Sequence, residues 1–208
     1  MKNKPIIIIG NGGHARALIE ILLMQSREII GFTAPTQQVN PFGFTYLGKD
    51  ESIEQYHQDE IILVLGLGTI QISSIRKEIF DRFKKLGYTF ESTIHPKTII
   101  SPTVQFGEGV QIMAGAIVQT NTKIADNTII NTGTIIDHDC IIDAHTHLAP
   151  GVTVSGSVHI GESCHIGTAA TIIQGITVGK KSLVGAGAVV VSNIANEKKV
   201  VGVPAKEV

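Results

Sequence analysis

The sequence predicts an α/β N-terminal domain on a small parallel sheet, followed by a parallel β-solenoid. Three observations predict it. From Ile94 to Val190 every sixth residue is apolar, seventeen positions without a miss, opening with Ile94, Ile100, Phe106 and Ile112 and closing with Val178, Val184 and Val190. Neither a 3.6-residue helix nor a period-two strand repeats at six, so this register belongs to stacked coils of hexapeptides. Ahead of it, short β-branched runs alternate with helical spacing, as a parallel sheet with crossover helices requires. Between the first run and the first helix stands a glycine turn, Gly10-Asn11-Gly12-Gly13.

Taken in order, Pro5 and the four isoleucines Ile6 to Ile9 read as a buried strand. Residues 14–24 carry helical spacing through Ala17, Leu18, Ile21 and Leu22. Residues 28–32 form a second strand and 61–65 a third. Residues 70–86 form a second helix, whose Arg76, Lys77, Glu78, Asp81 and Arg82 keep to a solvated face. The polar stretch 33–44, with Pro35, Pro41 and Gly43, reads as a mobile loop of a length that often carries function. The N-terminal domain runs over residues 1–93 and the solenoid over 94–192, opened by His95-Pro96. Residues 193–208 make a C-terminal tail whose Val200-Val201-Gly202-Val203-Pro204 is apolar enough to pack.

Within the solenoid the residue two before each sixth-position aliphatic is usually small: Ala116, Thr122, Thr128, Thr134, Cys140, Thr146, Cys164, Ala170, Ser182 and Ala188. Small side chains suit tight corners, and Gly107, Gly161, Gly167, Gly179 and Gly185 are expected to relieve backbone strain at the turns. Three hexapeptides per coil make a narrow triangular prism in which residues eighteen apart stack at about one 4.8 Å strand spacing. Cys140 and Cys164, four hexapeptides apart, then fall on different faces, so they are expected to pack rather than to form a disulfide.

Composition removes several classes. Lys and Arg number 17 against 18 Asp and Glu, a net charge of −1 with no long basic run, which argues against a nucleic-acid partner. No run of eighteen apolar residues could span a membrane, and the apolar run before Gly10 is too short for a signal peptide, so a soluble cytoplasmic protein is expected.

Gly10-Asn11-Gly12-Gly13-His14-Ala15 fits the dinucleotide pattern Gly-x-Gly-x-x-Gly/Ala between a strand and a helix, which makes the sheet Rossmann-like and its backbone N–H groups suited to phosphate. Asn11, Gly12, Gly13 and His14 are therefore candidate substrate-binding residues, with Gly66, Leu67 and Gly68 after the third strand as the other wall. An NAD enzyme would place an acid at the end of the second strand, where this chain reads Gly31-Phe32-Thr33-Ala34-Pro35, so dehydrogenase chemistry is disfavoured.

The repeats Ile-Gly-Glu-Ser-Cys-His and Val-Gly-Ala-Gly-Ala-Val resemble the hexapeptide acyltransferases. With Ile9-Gly10-Asn11-Gly12-Gly13-His14, Ile94-His95-Pro96, Ile136-Asp137-His138-Asp139-Cys140 and Val201-Gly202-Val203-Pro204-Ala205-Lys206 in that order, nearly the whole chain resembles bacterial acetyltransferases of nucleotide-linked amino sugars or sialic acids. The resemblance implies a left-handed parallel β-helix, a homotrimer and acetyl-CoA as co-substrate. It implies His138 as general base, Asp139 as its support, and acetyl-CoA contacts at His147, Thr168 and Ala186. Relatives that hold a nucleotide sugar often carry Asp-Asp where this chain has Thr33-Ala34.

The repeat adds its own geometry. Gly156 lies eighteen residues after His138 and should sit beside it, its N–H free to approach a thioester oxygen, with His147 as the alternative donor to that oxygen. His147 lies nine residues from His138, half a coil away, so a site using both must be built between subunits. His165 should stack on His147, yet two histidines are a weak metal signature, and no metal is expected. The reading is N-acetylation of a nucleotide-linked amino sugar in surface-glycan synthesis. The alternatives are O-acetylation of a sialic-acid-like sugar, a zinc carbonic anhydrase and a purely structural solenoid.

Overall fold

The computed structural model describes residues 4–69 and 74–208. The chain divides into two compact units, one of the described residues up to Gly68 with Ser74–Pro96, the other of Thr69 with Lys97–Val208.

In the first unit, β1 (Ile6–Ile9) leads through the glycine turn into α1 (Gly13–Met24), then β2 (Ile29–Thr33), β3 (Thr45–Tyr46), β4 (Ile62–Leu65) and α2 (Ile75–Lys85). The sheet order is β3-β2-β1-β4, every pair parallel. Because β1 is central and covered on both faces, its four isoleucines are all buried, which is why it reads as a continuous apolar run. β2 and β4 flank β1, so the winding reverses there, the border at which open α/β sheets take ligands beyond the strands' carboxyl ends.

Two details of this unit depart from the sequence reading. β3 and a 3₁₀ turn over Asp50–Gln55 stand where no element was expected, because two residues and one short turn set up no periodicity. The expected start of the second helix at Ile70 lies outside the described residues. Arg76 is buried, not solvated: its guanidinium turns inward and donates to the carbonyls of Leu65 and Leu67, anchoring the loop after β4. Burial pulls its pKa down to about 9.

In the second unit a two-residue strand recurs every six residues from Ile99–Ile100 to Val189–Val190. Each pairs in parallel with the strand eighteen residues on, as in Ile129↔His147, His147↔His165 and Ile135↔Thr153. The prism therefore has three faces. Face 1 contains Ile135–Ile136, face 2 contains Ile141–Ile142 and face 3 contains His147–Leu148, in repeating order. The tail extends face 3: Lys199–Val201 pairs with Leu183–Val184, and Lys206–Glu207 folds back antiparallel on it.

The sixth-position aliphatics from Ile112 to Val190 are buried, but Phe106 is 37% exposed. Among the described residues its strand, Gln105–Phe106, pairs only with the following coil, which leaves its other side without a strand neighbour. The small corner residues are buried, and the polar ones are also bonded. Thr122, Thr134 and Thr146 each donate a hydroxyl to the carbonyl fifteen residues on, and the Cys140 and Cys164 thiols do the same at 3.2 and 3.1 Å. Thr146 also accepts from the Cys164 N–H at 3.3 Å. Thr146→Val keeps the shape and removes both bonds, so it should lower the unfolding free energy by about 1–2 kcal/mol, read from the urea midpoint.

The expectation for Gly107, Gly161, Gly167, Gly179 and Gly185 needs correction. None of them has positive φ. The left-handed conformation falls instead on every sixth residue from Gly109 to Gly187, with φ between 54° and 70°, and is occupied by Asn121, Asp139 and His145 as readily as by glycine. The five named glycines are required by close approach: a Cβ on Gly167 would stand 2.5 Å from the Ala186 nitrogen of the next coil.

Candidate functional site

In the first unit, the two predicted walls meet at the carboxyl end of β1 and β4, whose last residues Ile9 and Leu65 are paired. Gly10 turns at φ 103°, and a Cβ there would lie 3.2 Å from the Leu67 side chain. A Cβ on Gly66 would strike Ala15 at 2.7 Å, and one on Gly68 would press on His14 at 3.2 Å. These glycines let the loop close onto the start of α1. Gly12 caps that helix and Gly13 begins it, both with open space where a side chain would be. Backbone N–H groups there can face an anion. Asn11 plays a different part. It is buried, donates to Gln38 and the Val39 carbonyl, and accepts from Asn40 at 2.7 Å, so it fastens the loop after β2.

In the second unit, His138 stands at the corner between faces 1 and 2, not on a strand face. Asp139 follows in the left-handed conformation at φ 59°, which turns its carboxylate back on the ring. Asp139 Oδ2 lies 2.7 Å from His138 Nδ1, and its Oδ1 accepts from the Asn121 amide at 3.3 Å. Asn121 is the residue eighteen before Asp139, a position the repeat makes findable. The carboxylate thus holds the proton on Nδ1 and leaves Nε2 as the acceptor. The hydrogen bond to Asp139, with Asp137 nearby, raises the His138 pKa above its ordinary value, and the same bond holds the Asp139 carboxyl below its own.

Gly156 lies under that ring. A Cβ on it would stand 2.6 Å from His138 Cε1 and 2.7 Å from Nε2, so the stacking expected from the eighteen-residue spacing is present. Among the described residues the Gly156 N–H has no hydrogen-bond partner.

His147 and His165 stack on face 3, ring centroids 5.1 Å apart and nearly perpendicular, both buried. Asn131 uses its carbonyl to accept from the Thr132 N–H, so its amide donates to His147 Nε2 at 3.1 Å; His147 Nδ1–H then donates to Thr69 at 2.8 Å. Asn131 and Thr69 were not singled out in the sequence. Burial lowers the His165 pKa. Among the described residues no group of three or more His, Cys, Asp or Glu could hold a metal ion.

Thr168 and Ala186 are exposed on neighbouring coils at the corner between faces 3 and 1, and Thr168 O accepts from the Gly187 N–H at 2.8 Å. His138 and this corner lie at different edges of the prism, and face 3, which carries His147, lies opposite the edge that carries His138.

Residues 5–83 match the family described as the PglD N-terminal domain. A curated relative from Bacillus subtilis, UDP-N-acetylbacillosamine N-acetyltransferase, is 32% identical over 115 residues, an alignment that spans about half of each protein, 53% of this chain and 52% of the relative. The acetyltransferase domain of PglB from Neisseria gonorrhoeae, solved with acetyl coenzyme A, superposes with a TM-score of 0.93 at 33% identity, covering 99% of this chain and all of that one. PerB from Caulobacter crescentus, solved with CoA and GDP-perosamine, gives 0.90 at 33% identity, covering 98% of this chain and 97% of that one. No helix among the described residues is long and apolar enough to cross a membrane.

Proposed function

The chain belongs to the hexapeptide-repeat sugar acetyltransferases, and on that premise we propose that it transfers acetyl from acetyl-CoA to the amino group of a nucleotide-linked amino sugar, in the synthesis of bacterial surface glycans. The observation that carries the proposal is the corner at His138, where a base poised by Asp139 adjoins an uncommitted backbone donor.

As the sugar nitrogen bonds to the thioester carbonyl carbon, His138 Nε2 takes its proton. The carbonyl oxygen gains negative charge and is met by the Gly156 N–H. The carbon–sulfur bond then breaks, and the thiolate of CoA leaves with the proton carried by His138. A thioester is already activated, so no protein nucleophile is needed. Gly156 suits the oxyanion better than His147, whose ring N–H is committed to Thr69. His147, Thr168 and Ala186 are assigned to acetyl-CoA, and Gly12, Gly13, His14 and Gly66–Gly68 to the acceptor. Asn11 acts by shaping the loop beside them.

His138 must be neutral to act. Its pKa is raised, so kcat/KM should climb with pH along an acidic limb whose midpoint lies above the ordinary histidine value of about 6.5. Asp139→Asn removes the cause and should move that limb to lower pH while lowering the plateau; a limb that stays in place would separate it from His138.

The opposed positions of His138 and His147 favour sites completed by a second subunit, and we infer a homotrimer. The outward isoleucines of face 1 support self-association, since Ile99 is 66% and Ile135 41% exposed. Activity should fall on dilution in step with dissociation seen by sedimentation; full specific activity in a monomer would refute the shared site. Both substrates belong to the cytoplasm, where we place the enzyme. Incubation with acetyl-CoA and UDP- or GDP-linked amino sugars, followed by thiol release, tests the reaction.

A further inference from the structure

We propose that Asp50 supplies the acid that grips the ribose of the bound nucleotide, reaching the end of β2 from a separate segment of the chain. The inference rests on the acceptor being nucleotide-linked. A dinucleotide-binding parallel sheet closes its second strand with an acid that accepts from the ribose 2′-hydroxyl, and here that strand closes with Thr33-Ala34.

Thr33 is fully buried, and its hydroxyl donates to Asp50 Oδ1 at 2.7 Å. The Thr33 carbonyl in turn accepts from the Gly10 N–H at 2.9 Å, which ties this end of β2 to the glycine turn that opens α1. The Asp50 carboxylate therefore stands at the carboxyl end of the strand next to the phosphate-suited turn. Its other oxygen, Oδ2, has no hydrogen-bond partner among the described residues, and Asp50 is only half-buried.

Asp50 lines a cleft of about 240 Å³ with Pro35, Lys49 and Glu51. That is below the roughly 300–1,000 Å³ of a site for a whole drug-sized ligand, and it fits a subsite for one sugar ring. A tie that merely fastened the 3₁₀ turn to β2 would need Oδ1 alone. The free Oδ2 is what a ribose hydroxyl would meet.

Asp50→Asn separates the two roles, because its amide oxygen can keep the bond from Thr33 while an NH₂ replaces Oδ2. The experiment is calorimetric titration of the full chain with UDP and GDP, each against its 2′-deoxy counterpart. Wild type should bind the better ribonucleotide about tenfold more tightly than its deoxy form, a difference of about 1.4 kcal/mol. D50N should abolish that preference with its melting midpoint and acetyl-CoA affinity unchanged. If D50N does not fold, Thr33→Val, which frees the carboxylate to rotate, should reduce the preference severalfold. A preference that survives in the folded variant, or a wild type that ignores the 2′-hydroxyl, overturns the role of Asp50 and leaves the nucleotide-sugar reading intact. A wild type that binds neither ribonucleotide overturns both.

Discussion

Replacing His138 by Ala should lower kcat for acetyl transfer about 10²–10⁴-fold, the range general-base catalysis supplies, while acetyl-CoA binds with nearly unchanged affinity. The ring is exposed at a corner and packs no core, so the loss should appear in turnover and not in stability. Steady-state thiol release and a direct titration of acetyl-CoA measure the two quantities separately. Retained turnover would remove His138 as the base. A parallel loss of acetyl-CoA affinity would make it a binding residue.

Gly156→Ala should have the next largest effect, a fall of about 10²-fold in kcat, the scale on which a displacement of about 1 Å in a reacting group is felt. The new methyl would stand within 2.7 Å of His138 Cε1 and Nε2, so the ring must swing away from Asp139. The fold should survive, because the obstacle is a mobile side chain and Gly156 does not need the left-handed conformation. In the H138A background the same change should cost little, since the ring it displaces is gone. Full additivity of the two losses would mean that Gly156 acts independently of His138.

The part of this site that was legible in the sequence is the part the repeat rules. Inward aliphatics every six residues lock each strand to the one eighteen on, so His138 over Gly156 and His147 beside His165 could be placed by counting. The same count finds Asn121 behind Asp139. Other features were hidden for distinct physical reasons. Thr33 to Asp50 and Thr69 to His147 each join a strand residue to a segment outside any repeat, so no periodicity relates the partners. Arg76 has the polarity of a surface residue, and nothing in its sequence neighbourhood announces the carbonyls of Leu65 and Leu67 that receive it inside. The corner backbone was misread because its left-handed position accepts Asn, Asp, Ser, His and Lys, whereas the conspicuous glycines mark close contact between coils.

The chemistry is decided by the identity of the bond made when the protein is incubated with acetyl-CoA and a panel of UDP- and GDP-linked amino sugars beside free sialic acids, determined by NMR of the product. N-acetylation predicts an acetamide on the amino sugar of a nucleotide-linked acceptor, formed in step with thiol release and lost in H138A. An acetate ester on a sialic acid, with the amino sugars untouched, would contradict it.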